Sequence, residues 1–150
     1  MFKGRYNYSV DGKGRSSLPA KFRDAIVSMG NDKVVLTFAL DSKHPHLDIY
    51  PFSRWEEFEL KLSAKPIFDE NVIMLKRLYV ANAVECQLDS HGRILIPATH
   101  RDFAKVEQEA TFVGMTRTIE LWNSAIWQSA QDEAMAAIMD VRAGLSGFEL

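Results

Sequence analysis

Apolar and polar positions alternate through Phe2, Tyr6, Tyr8 and Val10, which predicts a strand over residues 2–10. The alternation breaks at Asp11-Gly12-Lys13-Gly14, a turn sequence, and Arg15 to Leu18 reads as the strand's continuation. Pro19 then opens a helix, where its missing N–H costs nothing. Leu18, Phe22, Ala25, Ile26 and Met29 form that helix's apolar stripe, and Gly30 with Asn31 ends it. Val34 to Leu40 is a β-prone run, and Leu47 to Tyr50 is the next strand after a loop from Asp41 to His46. Beyond Pro51, Ser53 and Glu56 have the spacing of a capping box, opening a helix that buries Trp55, Phe58 and Leu62. Pro66 breaks the chain, and Asp69 to Val80 shows helical spacing at Val72, Leu75 and Tyr79.

The pattern then begins again. Val84, Cys86 and Leu88 alternate into a second turn, Phe112 to Met115 and Ile119 to Trp122 read as strands, and Ser124 to Met139 as the last helix. The residues repeat as well as the pattern: V-D-G-K-G-R-S-S-L-P-A-K-F-R, from Val10 to Arg23, returns from Leu88 to Arg101 as L-D-S-H-G-R-I-L-I-P-A-T-H-R, at an offset of 78. Further on, Leu47-Asp48-Ile49-Tyr50 is answered by Ile119-Glu120-Leu121-Trp122 and Trp55 by Trp127, at an offset of 72. The six-residue shortening falls in a hairpin loop, where deletions do least harm. This internal duplication predicts one pseudo-symmetric domain over residues 1–150. Its first repeat covers about 1–65, its connecting helix about 66–80 and its second repeat about 81–140, with a tail over 141–150 that is mobile after Gly144.

Each turn has the same chemistry. Asp11 and Asp89 are placed to accept hydrogen bonds from backbone N–H groups two residues on, or from the arginine four residues on, while Gly14 and Gly92 supply positive φ. Asp-x-x-x-Arg therefore reads as a turn lock.

Charge changes the picture. The formal net charge of −2 argues against a polyanion partner until it is divided along the chain. Residues 1–30 hold Lys3, Arg5, Lys13, Arg15, Lys21 and Arg23 against Asp11 and Asp24, a net +4, which leaves −6 for the remainder. Segregation of this kind creates a local positive face on an acidic protein. Lys3, Arg5, Lys13 and Arg15 fall on the first strand and its turn, and a β-ribbon with basic side chains on one face suits a DNA major groove. The second copy is poorer in cations: His91 stands for Lys13 and Ala81 for Lys3. The sequence thus predicts a division in which the first hairpin touches DNA and the second builds the barrel or a subunit contact. His91 and Arg93 form a secondary set, open between phosphate and an interface.

Other chemistries find little support. His44-Pro45-His46 has neither a cysteine pair nor a carboxylate–histidine helix motif beside it, so no metal, cofactor or small-molecule ligand is predicted. Neither a nucleophile elbow nor a Walker-type loop is present, which argues against an enzyme. Cys86, alone, forms no intrachain disulfide. The start lacks an apolar run of signal-peptide length and no membrane span is needed, so a cytoplasmic location is expected. Phe2, Tyr6 and Tyr8, sharing one strand face, keep open an alternative as a single-stranded RNA binder or an interaction protein.

D-G-K-G-R-x-x-x-P-A-K-F-R near an initial M-F-K-G, followed by a second D-x-x-G-R-I-L-I-P, resembles the MraZ family of swapped-hairpin barrels typified by AbrB. The resemblance implies an α+β fold: an AbrB-type swapped-hairpin β-barrel built from two internal repeats with flanking helices. It also implies a nucleoid-associated bacterial transcriptional regulator of the division and cell-wall gene cluster. In that picture a homo-oligomeric ring binds direct repeats in double-stranded promoter DNA, and the motif arginine, Arg15, contacts the DNA.

Overall fold

The computed structural model describes residues 1–148. Eight strands form, β1 (Arg5–Ser9), β2 (Arg15–Ser17), β3 (Lys33–Phe38), β4 (Leu47–Pro51), β5 (Val84–Gln87), β6 (Arg93–Leu95), β7 (Glu109–Met115) and β8 (Thr118–Trp122). The helices are α1 (Ala20–Ser28), α2 (Phe52–Ser63), α3 (Glu70–Leu75), α4 (Ala98–Ala104), α5 (Ser124–Ala136) and α6 (Ile138–Gly144). The mixture of helices with antiparallel strands is the expected α+β class.

Six strands pair in the order β1-β7-β8-β4-β3-β5, and β2 pairs with β6 in a separate two-stranded ribbon. The order is a palindrome under exchange of repeats, since β1 corresponds to β5, β7 to β3 and β8 to β4. The duplication is therefore a pseudo-twofold in space. Its axis passes between Ser16 and Ile94, which face each other in the ribbon and are themselves 78 residues apart, and near the paired Asp48 and Glu120 of β4 and β8.

One core serves both repeats. Phe2, Leu18, Phe22 and Ile26 of the first pack in the same cluster as Ile94, Ile96, Phe112 and Leu121 of the second. A smaller cluster of Val35, Trp55 and Tyr79 lies on the other side of β3, with Tyr50, Phe52, Phe58 and Leu75 against it, and seats α2 and the connecting helix. The connecting helix is capped by Asp69, whose carboxylate accepts from Asn71 N at 2.8 Å. It runs on through a wider π-type turn over Lys76–Val80, closed by Ala81 N donating to Lys76 O at 2.9 Å.

Several expectations need correction. The strand over 2–10 is interrupted at Gly4, φ +88°, so that Phe2 bridges Thr116 while the ladder proper starts at Arg5. Ser53 caps nothing: Pro51, φ −54° and ψ 142°, leads the chain directly from β4 into α2, so the helix starts at Phe52 and Ser53 already lies in its first turn. The last helix, expected over Ser124 to Met139, breaks at Ala137, and α6 runs on to Gly144, into residues expected to belong to the tail. The end of that tail, residues 149–150, lies outside the described residues.

Candidate nucleic-acid interface

The two turns are built alike, atom for atom. Asp11 Oδ1 accepts from Lys13 N and Arg15 N, both at 2.9 Å, while Arg15 Nε donates to Asp11 Oδ2 at 2.8 Å. In the second copy, Asp89 Oδ1 accepts from His91 N at 2.8 Å and Arg93 N at 2.9 Å, and Arg93 Nε donates to Asp89 Oδ2 at 2.8 Å. The lock read from Asp-x-x-x-Arg is present in both. Of the first turn's two glycines, Gly14 takes the left-handed conformation, φ +87°, as Gly92 does in the second, φ +72°.

These hydrogen bonds hold the carboxylates ionised. The N–H of Arg93, then its guanidinium and the N–H of His91, bring Asp89 down to about 2 from an ordinary 3.8. Asp11 is lowered by the matching groups, the N–H of Arg15 foremost. A depressed carboxylate supports its turn above the ordinary value and loses that support as pH falls through the folded one. The Asp89 side-chain carboxyl is thus expected to titrate near pH 2 by NMR, with the His91 and Arg93 amides losing protection between about pH 4 and 2. A midpoint at the ordinary value would mean that the lock is open in solution.

Each turn is also clasped by the other repeat. Leu18 N donates to Gly92 O at 3.1 Å and Ile96 N to Gly14 O at 2.9 Å. Arg23 of α1 lies over Gly92, and Arg101 of α4, whose Nε donates to Ile96 O at 3.0 Å, lies over Gly14. The two arginines thus hold helix to turn across the pseudo-dyad.

The ribbon decides where the two turn arginines point. Arg15 faces Leu95, Ser16 faces Ile94 and Ser17 faces Arg93. Ser16 and Ile94 are buried, so the opposite face presents Arg15, Ser17, Arg93 and the exposed Leu95 together. Arg15 and Arg93 stand diagonally across the ribbon, about 7–8 Å apart at Cα. Both aspartates engage only Nε, so among the described residues the terminal nitrogens of Arg15 and Arg93 have no acceptor. Lys13 and His91 are exposed at the turns beside them.

Lys3 and Arg5 are placed elsewhere. β1 and β2 meet only next to their shared turn, at the Val10–Ser16 bridge and the Ser16 hydroxyl's bond to Ser9 O, because β1 pairs along its length with β7 and β2 with β6. Five residue steps of extended strand separate Arg5 from Val10, about 17 Å. Arg5 reaches α5, where its guanidinium donates to Gln131 Oε1. The four cations of the first copy therefore do not form one tight cluster: Lys13 and Arg15 share the ribbon end with Arg93, while Lys3 and Arg5 lie at the far end of β1. Arg93's place in that set was missed because period-2 alternation fixes the face of a residue and not the identity of the neighbouring strand. Tyr6 and Tyr8 turn inward, Tyr6 edge-on to Phe22 at 5.3 Å and Tyr8 to Phe112 at 6.2 Å between ring centroids. With the buried Phe2 they are core, and offer no stacking platform for bases.

Comparison with known proteins bears on the same two repeats. The family model described as "MraZ protein, putative antitoxin-like" matches residues 1–78 and again 79–144. The chain belongs to the MraZ family. Proteins named Transcriptional regulator MraZ are similar to it along most of its length. The one from Pseudomonas putida (strain GB-1) is 37% identical over 138 residues, 92% of this chain and 90% of the relative. That from Thermoanaerobacter sp. (strain X514) is 33% identical over 150 residues, the whole of both chains. In the MraZ match, as in the fold, each repeat brings one locked turn. No helix among the described residues is long and apolar enough to cross a membrane.

Proposed function

We propose that this chain is a DNA-binding transcription regulator of the bacterial cytoplasm that grips duplex promoter DNA through the β2–β6 ribbon. The observation that carries the reading is the ribbon's outer face. Two arginines stand on it, each steadied through Nε by an aspartate and each with its terminal fork unoccupied. A fork held in this way can bridge guanine O6 and N7, or clamp a phosphate, with little further loss of rotamer freedom. A two-stranded ribbon also fits a major groove about 12 Å wide. Lys13 and His91 add flanking phosphate contacts, and Lys3 and Arg5 serve DNA only where a site extends along β1.

The scaffold we infer is the swapped-hairpin barrel of the family. What supports it is that β1 and β2, joined by one tight turn, find their long-range partners in different strands of the other repeat. The ring is supported by apolar side chains left at the surface in both repeats' helical segments, Leu60, Phe68 and Met74 after the first and Met135, Met139 and Phe148 after the second. A single ribbon with a few cationic contacts binds weakly, on the order of 10⁻⁴–10⁻⁶ M. Several ribbons in one ring raise the effective concentration for the next contact, which favours direct repeats over lone sites. The expected target is the promoter of the division and cell-wall cluster.

The test is fluorescence anisotropy with a labelled duplex from upstream of the chain's own gene, a scrambled duplex and single-stranded RNA of matching length. The upstream duplex is expected to bind tightest, with an affinity that falls log-linearly with salt. Equal binding of RNA, or none of the duplex, would reject the reading.

A further inference from the structure

In the middle of the six-stranded sheet, Asp48 of β4 and Glu120 of β8 are directly paired across the strands, two carboxylates on one face. Like charges in this position repel, and here both are largely shielded from water, with side chains 21% and 17% exposed. Beside them opens a cavity of about 480 Å³, lined by Ala39, Leu40, Asp41, Ser42, His46 and Tyr79 together with the pair, and by no lysine or arginine. Among the described residues His46, 5% exposed, is the one side chain able to carry a positive charge that meets them.

The hydrogen bonds around this group sort its atoms into two sets. His46 Nδ1 is 2.8 Å from His44 O, and since a carbonyl only accepts, Nδ1 carries a proton. Asp48 Oδ2 accepts from the Tyr79 hydroxyl, and Glu120 Oε1 accepts from Trp122 Nε1 at 3.0 Å. The His46 ring is further fixed by stacking on Trp122, 3.8 Å between centroids and 8° from parallel. Each side chain is thus oriented from outside through one polar atom while its other atom faces inward. His46 Nε2 faces inward, 3.1 Å from Glu120 Oε2 and 4.0 Å from Asp48 Oδ1, and one ligand atom from each of the three residues lies within 4.8 Å of the others. Ligands on a tetrahedral ion with bonds of about 2.0–2.2 Å are about 3.4 Å apart, so small side-chain rotations close the set.

We propose that His46, Asp48 and Glu120 form a binding site for a divalent first-row transition-metal ion, with water from the adjoining cavity completing its coordination. One imidazole and two carboxylates are the donor set of zinc and manganese sites, and the outward hydrogen bonds supply the supporting shell that such ligands require. A divalent ion also cancels the two carboxylate charges, which a protonated His46 does only by half. His44-Pro45-His46 suggested nothing of this alone, because Glu120 lies 74 residues from His46 and only the pairing of β8 with β4 brings it beside His46 and Asp48.

The experiment uses the full chain, free of any histidine tag and stripped with chelator, then titrated with ZnCl₂ or MnCl₂. One ion per chain is expected by elemental analysis, together with a rise in melting temperature of about 5–10 °C at a hundredfold excess over Kd. Glu120→Gln and Asp48→Asn each remove one ligand and also the like-charge pair. Without metal they are expected to melt no lower than the parent, and with metal to bind at least tenfold more weakly. Failure of the parent to retain an ion, or retention undiminished in both variants, overturns the site. In the first case the pair is balanced by a proton on His46, and in the second the ion lies elsewhere.

Discussion

Replacing Arg15 with alanine is expected to weaken promoter binding roughly five- to 150-fold per ribbon, the equivalent of one lost bidentate contact of about 1–3 kcal/mol. In an assembly that engages several ribbons at once the losses compound, so binding at moderate salt should disappear. The fold should hardly notice. The Arg15–Asp11 pair is exposed, with side chains 35% and 37% accessible, and water and salt screen such pairs so that they add little to stability. A melting temperature within about 3 °C of the parent is therefore expected, with unchanged oligomer size. Arg15→Lys separates the two uses of the side chain, because lysine keeps the charge but not the planar fork. It should restore salt-dependent affinity for any duplex without preference for the promoter. Arg93→Ala, which the repeat comparison alone expects to spare binding, should instead give a measurable loss, since Arg93 shares the outer face with Arg15. Anisotropy with size-verified protein distinguishes these outcomes, and unchanged affinity for Arg15→Ala would remove the ribbon from the DNA.

The second large effect concerns Gly114 in β7. A Cβ built there would lie 2.3 Å from Lys3 N, 2.5 Å from Lys3 Cα and 2.6 Å from Phe2 C, all backbone atoms with no rotamer to escape into. Gly114→Ala must therefore push the first residues off the sheet. That movement breaks the reciprocal Phe2–Thr116 hydrogen bonds of 2.9 and 2.8 Å and withdraws Phe2, 2% exposed, from its edge-on contact with Phe22. Exposing a buried phenylalanine alone costs about 1.5–3 kcal/mol, which for a chain of this size lowers the melting temperature by roughly 5–10 °C. Gly12→Ala is the control. Gly12 lacks a positive φ and a Cβ there meets nothing within 4 Å, so the change should be close to neutral. If both variants melt like the parent, the N-terminal residues are not docked as described.

The turn locks were legible because their chemistry is local. An aspartate, a glycine and an arginine within five residues have few ways to satisfy one another, and the second copy repeated the statement. The core faces followed from alternation for the same reason. What lay beyond reach was partnership. Nothing in R-S-S says that it pairs with R-I-L and not with the strand just before it, and nothing near Arg5 points to Gln131 on a helix at the other end of the chain. The capping box failed for a local reason, since Pro51 had already set the helix start before Ser53 was reached. Where the duplication was read as dividing labour between the halves, the ribbon mixes them: each contributes one strand and one arginine to the same surface.

The Ser16–Ile94 pair has a meaning of its own. In two identical chains related by a true dyad, whatever residue occupied this spot would have to confront itself, bulk against bulk or gap against gap. Here a small hydroxyl, satisfied by Ser9 O at 3.0 Å, stands opposite a branched hydrocarbon, both of them buried. Joining the copies covalently freed the centre of the molecule from self-complementarity, so the two halves could diverge in volume while keeping one shared backbone plan.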